Sequence, residues 1–386
     1  MLQRFLPYVL LLLSGCLASG DLDSGTDSGP GIGPDANAPA CHTDLTPHLD
    51  LMGVPGLSAG IVKNGRLACT AVAGHADVEQ NRRVEPDTVF AWASVSKTVT
   101  AVAAMILHDQ GHLDLDGDID AVLPFSTRNP HCPGQPITVR QLLTHSSSIV
   151  DSDLYDDYYV SGDSPIGLGE FVRGYVTPGG AYYSAEANFA AACPGTVNEY
   201  SNVAVGLLGH VVESIANMGF DAFCRERIFA PLGMHKSSFH LANLDIANIA
   251  MPYMGRIPVG HLGFPTFPDG LLRSSVPQLA RVLAMMAERG VYEGQRILDP
   301  ATVVEMARVQ IPALDDTQGL LWFYDRGGAV LGHDGSDPGI SSFMYFDPHT
   351  GDGVLMVANG DWYAADDDAP AAHALLGELF AEAASR

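Results

Sequence analysis

Ser94 and Lys97 have the residue types and the spacing of a nucleophile and its proton acceptor. They lie in an apolar segment with helical periodicity, where a charge is costly unless it has a partner or a function. Positions i and i+3 share one face of a helix, so a helix that begins near Ser94 would bring the hydroxyl and the amine together. Burial favours the neutral amine, which could then accept the serine proton. Alone, the pattern fits a capping serine beside a lysine that extends to solvent equally well.

Tyr200 and Asn202 form a second candidate pair, directly before a segment with helical spacing. A tyrosine hydroxyl can relay protons, and an asparagine amide can bind both a lysine and a substrate carbonyl. Of the thirteen tyrosines, only Tyr200 has an asparagine two residues later. Taken alone, the pair also fits a core tyrosine beside an asparagine helix cap.

A third candidate is the segment His333-Asp334-Gly335-Ser336, at the end of a predicted strand. Glycine at such a position lets a substrate or a reacting carbonyl approach the strand closely. The amide of Ser336 could then donate into an oxyanion hole together with the amide of Ser94. By itself, a histidine before an Asp-Gly turn also fits a structural role, as does His145 in its loop.

Ser58 offers a competing nucleophile because residues 56–60 spell G-x-S-x-G. A nucleophile elbow needs a strand before the serine and a helix directly after it. Here a β-rich run and the turn Asn64-Gly65 follow, which together predict a β-hairpin. Ser58 is therefore predicted to be a strand residue.

The acidic segment Leu113–Asp120 resembles a calcium-binding loop at first sight. An EF-hand loop has glycine at position 6 and a bidentate glutamate at position 12. Counted from Asp114, Gly117 falls at position 4 and Phe125 at position 12. The segment is predicted to be a solvated loop, and neither a metal site nor a cofactor is expected in the chain.

The N-terminus has the features of an export signal. Arg4 precedes an apolar run from Phe5 to Leu13 that is too short to span a bilayer. The next residues resemble a bacterial lipobox and predict cleavage after residue 15 and lipidation of Cys16, with an ordinary secretory signal as the alternative. Residues 16–40, rich in Gly, Asp, Ser and Pro, are predicted to be a flexible tether, followed by a folded domain over residues 41–386. We therefore expect an exported protein, anchored to a bacterial membrane in the periplasm or at the cell surface.

Composition narrows the function further. The net charge of −25 would repel phosphate backbones, which argues against nucleic-acid binding, and 47% hydrophobic with 17% charged residues is typical of a globular protein. In an oxidising compartment some cysteines could pair, but the sequence does not determine which. Beyond Cys16, the apolar helical context of Cys224 makes it the best candidate for a free thiol among Cys41, Cys69, Cys132, Cys193 and Cys224.

The order of predicted elements indicates an α/β (α+β) fold. Apolar residues alternate with a period of two near both ends of the chain, whereas helical spacing and long loops dominate between them. This order predicts an antiparallel sheet built from N- and C-terminal strands, flanked by helices, with a mostly helical inserted subdomain at about 113–320. Residues 151–180 show little periodicity and are expected to overhang the active site.

With these three motifs in order, the chain resembles the serine β-lactamase and penicillin-binding-protein superfamily, in particular the class C β-lactamase-like branch with D,D-peptidases and family VIII esterases. Ser94-Val95-Ser96-Lys97 matches S-x-x-K, Tyr200-Ser201-Asn202 matches Y-x-N, and His333-Asp334-Gly335 matches H-x-G. The resemblance implies an acyl-enzyme mechanism. Ser94 would be the nucleophile, Lys97 its proton acceptor and Tyr200 an acid/base relay. Asn202, His333, Gly335 and Ser336 would bind substrate.

Two positions depart from the usual family pattern. His333 stands where β-lactamases usually have lysine, which disfavours recognition of a β-lactam carboxylate and favours an ester or peptide-like substrate. Ser148 stands where the family usually has glycine, so a different loop conformation is expected there. The expected partner is a small ester, amide or cell-wall peptide, and the alternative is a non-catalytic protein that binds cell-wall peptides.

Overall fold

A seven-stranded antiparallel sheet made from both ends of the chain is the centre of the computed structural model, which describes residues 38–363 and 369–386. Its strand order is β12-β13-β14-β15-β1-β2-β3. The strands are β1 (Gly56–Lys63), β2 (Arg66–Asp77), β3 (Arg82–Arg83), β12 (Phe323–Asp325), β13 (Val330–Asp337), β14 (Ile340–Phe346) and β15 (Gly353–Ala358). The predicted fold class is confirmed, since β1 pairs directly with β15 and so joins the two termini.

Short strands and helices complete the described part of the chain. The remaining strands form four two-stranded sheets: β4 (Val89–Ala91) with β9 (Arg273–Ser275), β5 (Val160–Ser161) with β8 (Leu262–Gly263), β6 (Tyr253–Met254) with β7 (Ile257–Pro258), and β10 (Val291–Tyr292) with β11 (Gln295–Arg296). The α-helices are α1 (Thr46–Met52), α2 (Ser96–Asp109), α3 (Val139–Leu143), α4 (Leu168–Val176), α5 (Asn202–Ala216), α6 (Phe220–Cys224), α7 (Val276–Ala287), α8 (Pro300–Ala307) and α9 (Pro370–Ser385). A π-helical turn, Arg225–Phe229, continues α6.

Helices cover both faces of the sheet, because successive side chains of each strand point to opposite faces and both sets are largely apolar. Leu57, Ala59 and Ile61 of β1 join a buried cluster with the apolar side of α9. On the other face α7 packs so closely that a side chain at Gly60 would meet Val276. The hydrophobic effect of this double burial fixes the register of the central strands.

Ser58 lies in the middle of β1, paired with both β15 and β2, and is 1% exposed. The turn after β1 has Asn64 and Gly65 at φ values of 52° and 69°, as a tight hairpin requires. The predicted hairpin is confirmed, and Ser58 is not on a nucleophile elbow.

The central segment is mainly helix and loop, as predicted. The apolar helix α5 is buried along most of its length and packs on α2. Helix α4 was not predicted, and it lies within the stretch of little periodicity. Among the described residues no single helix is long and apolar enough to cross a membrane, although α5 and Phe220–Phe229 together, bent by 73°, meet the length and composition of a span.

Two disulfides, Cys41–Cys69 and Cys132–Cys193, leave Cys224 as a buried free thiol. The choice of Cys224 as the unpaired cysteine is therefore confirmed. Cys16, the predicted lipidation site, lies outside the described residues, as do the predicted signal peptide and most of the tether.

The acidic segment Leu113–Asp120 is neutralised by arginines. Arg140 pairs with Asp116, with Nε 2.6 Å from Oδ1, and Arg128 pairs with both Asp118 and Asp120. These ion pairs attach the loop to the rest of the fold, so the loop is less solvated than its sequence predicts.

Candidate active site

Ser94 sits on a short 3-10 turn, Ala93–Val95, directly before α2. Ala93 has φ = 44°, in the left-handed region that alanine rarely adopts. The surrounding structure holds this turn through Trp92. Its indole N–H donates to the carbonyl of Ser274 at 2.9 Å, and its carbonyl accepts from the Ser342 hydroxyl at 2.8 Å. The nucleophile candidate is thus presented on a constrained turn, and α2 begins at Ser96, two residues after the predicted start.

Lys97 is completely buried and donates three hydrogen bonds from Nζ. The acceptors are Ser94 Oγ at 2.9 Å, Asn202 Oδ1 at 2.7 Å and the backbone carbonyl of Asp269 at 2.8 Å. Three acceptors match the three protons of an ammonium group. The amine therefore links two of the three sequence motifs in one hydrogen-bond network.

The charge state of Lys97 differs from the sequence-based expectation. Burial lowers the pKa of Lys97, but attraction to the ionised forms of Tyr200, Asp269 and Asp151 raises it by more, and the net pKa lies above the ordinary lysine value. The expectation of a partly neutral Lys97 is therefore wrong for the resting site. Before either Lys97 or Tyr200 can accept the Ser94 proton, the pair must release one proton.

Tyr200 completes the polar centre. Although 46% of the residue surface is exposed, its hydroxyl end is enclosed between Lys97 and Ser94, and Lys97 Nζ lies 4.8 Å from the ring centroid. Burial raises the pKa of Tyr200, against an opposing effect of the Lys97 charge. At neutral pH the phenol keeps its proton and can donate it to a leaving group.

His145 and His333 lie on either side of Tyr200. Their ring centroids are 4.4 Å and 6.3 Å from that of Tyr200. Burial holds the pKa of His333 at about 4 and that of His145 well below 6.5, so both imidazoles are neutral at physiological pH. His145 Nδ1 accepts the backbone N–H of Ser201 at 3.1 Å, which positions the Tyr200-Ser201-Asn202 segment. His145 thus has the loop-organising role that its sequence context also fits.

Gly335 allows β13 to pass directly beside Ser94. A β-carbon at this position would lie 2.9 Å from the Ser94 nitrogen, 2.7 Å from the Trp92 carbonyl oxygen and 2.6 Å from Ser342 Oγ. The pairing of β12 with β13 ends at Gly332, so the following part of β13 has an edge that β12 does not cover. This edge carries the exposed Ser336 and is where an extended substrate could lie next to the Ser94 amide.

Replacing Gly335 with alanine should reduce kcat by about 10²-fold, because the added methyl group pushes β13 away from the Ser94 turn by a few tenths of an ångström or more. Steady-state kinetics on an activated ester would measure the loss. Gly339→Ala is not a suitable control because φ is 76° there, so we choose Gly134→Ala, where a β-carbon meets nothing within 4 Å. Equal kcat values for Gly335→Ala and wild type would contradict this role of β13.

Asp151 is a site residue that the sequence motifs did not identify. Its carboxylate accepts the backbone N–H groups of Asn202 and Val203 and the hydroxyl of Ser201, each at 2.9 Å. A carboxylate is favourable at a helix N-terminus, where N–H groups lack partners. Asp151 therefore fixes the start of α5, and with it Asn202 beside Lys97.

Replacing Asp151 with asparagine should lower the free energy of unfolding by about 1–2 kcal/mol, since one charged acceptor of three hydrogen bonds is lost at the helix start. Denaturant titration would measure this loss. The kcat value should also fall while KM changes less, because Asn202 supports Lys97. Asp245→Asn, which removes the corresponding cap of a short surface turn, is the control and should leave kcat unchanged.

Two more carboxyl groups near the site, the buried Asp269 and the partly buried Asp337, accept hydrogen bonds from tyrosines. Tyr155 donates to Asp269 Oδ1 at 3.0 Å, and Tyr159 donates to Asp337 Oδ1 at 2.9 Å. Burial raises the pKa of Asp269 to about 8 and that of Asp337 to about 6. Both tyrosines belong to residues 151–180, the segment that was expected to overhang the site. Part of this segment lines a cleft next to Asn202 and Ser336.

Ser148 adopts φ = 63°, the left-handed conformation for which glycine would be the usual residue. The expectation of a different loop conformation here is therefore wrong. Asn129 Nδ2 donates to Ser148 Oγ at 2.8 Å and also to the carbonyls of Ala190 and Ala192. These bonds offset the backbone strain of a serine at this position.

The structure brings together all of the predicted site residues of the folded domain: Ser94, Lys97, Tyr200, Asn202, His333, Gly335 and Ser336. Among the described residues, one group of metal-ligand side chains is clustered, namely Cys41, Cys69 and Glu382. Its cysteines form a disulfide, and Glu382 accepts the backbone N–H groups of His42 and Thr43. The contacts of Glu382 hold the segment at His42 and Thr43 against α9.

A protein-family model described as Beta-lactamase matches residues 47–378. The chain belongs to the beta-lactamase family. This assignment confirms the resemblance to the serine β-lactamase and penicillin-binding-protein superfamily. Membership places the chain in a family of hydrolases.

Individual relatives show the range of this family. The chain is 29% identical to penicillin-binding protein 4 of Amycolatopsis lactamdurans over 80% of its own length and 81% of the relative. It is 24% identical to protein flp of Staphylococcus aureus and spans 60% of that longer protein. Among solved structures, the octameric penicillin-binding protein homologue from Pyrococcus abyssi has 28% identity and a TM-score of 0.65, covering 86% of this chain and 75% of that one. The D-amino acid amidase of Ochrobactrum anthropi SV3 shares the fold, with a TM-score of 0.67 at 23% identity, over 86% of this chain and 97% of the other.

Proposed function

We propose that the protein is an exported serine hydrolase that acts on ester or amide substrates through an acyl-Ser94 intermediate. The observation that carries the proposal is the position of Lys97 Nζ, which hydrogen-bonds Ser94 Oγ and Asn202 Oδ1 at once. Burying a lysine amine fully is expensive unless it is paired or has a function. Its place at the nucleophile of a hydrolase family supports a function in proton transfer.

In the proposed reaction the Lys97–Tyr200 pair, after losing one proton, accepts the proton of Ser94. Ser94 Oγ forms a bond to the substrate carbonyl carbon, and the negative charge passes to the carbonyl oxygen beside the Ser94 and Ser336 amides. When the bond to the leaving group breaks, Tyr200 returns the proton to the leaving oxygen or nitrogen. Water then attacks the acyl-enzyme by the same route and releases the acid.

Export and lipid anchoring through Cys16 belong to the same proposal. The apolar run before Cys16 supports it, and the two disulfides fit an oxidising compartment. Expression of the full chain in a bacterium with labelled palmitate tests the anchor. Label should enter the wild type and be lost in Cys16→Ser, and label in neither would leave an ordinary secretory signal as the explanation.

A fluorophosphonate probe tests the catalytic part of the proposal. The purified protein should gain one phosphonyl group, and peptide mass spectrometry should place it on Ser94. The same preparation should hydrolyse at least one substrate in a panel of p-nitrophenyl esters, nitrocefin and D-Ala-D-Ala peptides. No adduct and no turnover would instead favour a non-catalytic protein that binds cell-wall peptides.

A further inference from the structure

A cleft of about 580 Å³ lies beside the Ser94 site. Asn202 and Ser336 both line it, so it is where part of a bound substrate would extend from the reacting carbonyl. Five of its twelve lining residues are aspartates, namely Asp151, Asp153, Asp156, Asp337 and Asp361. Aspartate and glutamate together make up 45 of the 386 residues of the chain, so the general acidity of the protein does not account for this share.

Four of these carboxylates have no cationic partner in the described part of the chain. Asp151 is committed to the start of α5, but no lysine, arginine or histidine lies within ion-pair distance of the other four. Asp153 and Asp156 are exposed and accept no hydrogen bond from a described residue through their side chains. Among the described residues the Asp337 carboxylate accepts from Tyr159, and burial is the main cause of its raised pKa, with a smaller contribution from the like charge of Asp156. Among the described residues, Lys97 and Arg273 act on Asp337 only through space, and no ion pair neutralises these four carboxylates.

Tyr155 and Tyr159 add aromatic surface to the same cleft. Their ring centroids are 5.9 Å apart, with the planes at 80°, and burial raises the pKa of both hydroxyls, so the phenols stay neutral. Neutral aromatic faces attract cations through the ring quadrupole. Carboxylates combined with aromatic rings suit a positively charged group better than an apolar or anionic one.

The described site offers no free cation for an anionic substrate. Lys97 donates all three of its hydrogen bonds to protein acceptors. His333 and His145 are neutral at physiological pH. A carboxylate in the cleft would therefore lie among like charges, and neither Lys97 nor the two histidines could form an ion pair with it.

We propose that this cleft selects substrates whose acyl group carries a positive charge, an ammonium or a guanidinium, such as esters or amides of amino acids with a free amine. The cationic group would lie among Asp153, Asp156, Asp337 and the ring of Tyr159, with the reacting carbonyl at Ser94. The inference rests on the proposed acyl-Ser94 hydrolase. It adds the charge class of the substrate, which the catalytic residues alone do not determine.

Three p-nitrophenyl esters of similar size test this selection on the purified protein. The cationic one is the 4-(trimethylammonio)butyrate, whose fixed charge cannot attack the ester. Its neutral isostere is the 5,5-dimethylhexanoate, and the 4-sulfobutyrate is the anion. We expect kcat/KM to favour the cationic over the neutral ester by at least about tenfold, and the neutral over the anionic ester by a similar factor. Because the charges are near the surface, both ratios should shrink when salt is raised from about 0.05 to 0.5 M.

The double variant Asp153→Asn/Asp156→Asn tests whether the cleft is responsible. Both side chains are exposed, so the fold should tolerate the change. The cationic-to-neutral ratio of kcat/KM should fall about fivefold, with the neutral ester as the internal reference for each variant. The matched control Asp50→Asn/Asp316→Asn removes two exposed charges outside the cleft and should keep the wild-type ratio.

The outcomes separate this inference from the proposed function. Equal kcat/KM for the three esters, with a normal fluorophosphonate adduct on Ser94, would overturn the charge selection and leave the hydrolase proposal standing. A preference that the control variant loses as much as the cleft variant would also overturn it, because overall charge would then be the cause. If no ester is cleaved and no adduct forms, the hydrolase proposal fails and this inference fails with it.

Discussion

Replacing Ser94 with alanine should reduce kcat for any substrate of this protein by about 10⁶-fold, as removal of an acyl-enzyme nucleophile does elsewhere. Alanine lacks the oxygen that forms the covalent bond to the acyl group. It also removes one of three acceptors of Lys97 Nζ. Covalent labelling by a fluorophosphonate should disappear entirely, since the probe reacts with an activated serine oxygen.

Ser58→Ala is the matched control for this experiment. Ser58 is the serine of the competing G-x-S-x-G pattern, and it is buried in the middle of β1. Its replacement should leave both kcat and labelling unchanged. If Ser58→Ala abolished labelling and Ser94→Ala did not, Ser58 would be the nucleophile, and the assignment of Ser94 from the S-x-x-K motif would be wrong.

The parts of the site that the sequence predicts are those in which a side chain has few alternatives. A lysine in an apolar helix, a tyrosine two residues before an asparagine, and a glycine after a strand histidine each carry chemistry in their residue type. The inference that they meet came from the resemblance to a known family, which their order along the chain supports. The structure places Ser94, Lys97 and Asn202 in one hydrogen-bond network.

The parts that the sequence could not predict depend on backbone atoms or on distant pairs. The third acceptor of Lys97 is the carbonyl of Asp269, and a backbone carbonyl has no sequence signature. Asp151 acts on the start of α5 from 51 residues away, and nothing in its neighbourhood distinguishes it from other loop aspartates. The charge state of Lys97 was predicted wrongly for the same reason. An apolar sequence pattern indicates that the amine is buried, but it does not show which acidic groups lie near the amine in the fold.

The fold shows a similar division. A period of two in the apolar residues predicted strands at both ends of the chain, and the structure places β1, β2 and β13–β15 there. Helix α4 was missed because the glycines and aspartates around it obscure its short periodic stretch, although one side of it is buried. On α9 the buried side is formed by Ala372, Leu375, Leu376 and Leu379, whereas His373 is exposed. A helical face is set by what packs against it, and the sequence does not contain that partner.

Lys97→Arg should lower kcat by about 10⁴-fold, at the upper end of what general acid–base catalysis contributes. The guanidinium keeps the positive charge but stays protonated throughout, so it cannot exchange a proton with Ser94 or Tyr200. Lys97→Met, which fits the buried space without a charge, should show a loss of similar size. Thermal melting would show whether the two variants fold. If both fold and both lose activity, the loss reflects proton transfer, because arginine keeps the positive charge and methionine does not. Lys63→Arg, at the partly exposed ion pair with Asp352, is the control and should keep wild-type kcat.

The pH dependence of the wild type tests the same role without a mutation. Because the pKa of Lys97 is raised, the proton-accepting form of the Lys97–Tyr200 pair is a minor species at neutral pH, and its fraction grows as pH increases. The logarithm of kcat/KM should therefore rise with a slope of about one from pH 7 upwards, corrected for spontaneous hydrolysis with Ser94→Ala as the blank. Asp269, whose pKa is about 8, ionises in the same range, but its effect should level off above that pH while the rise due to the pair continues. A flat profile between about pH 7 and 9, or wild-type turnover in Lys97→Arg, would show that the Ser94 proton goes to another acceptor.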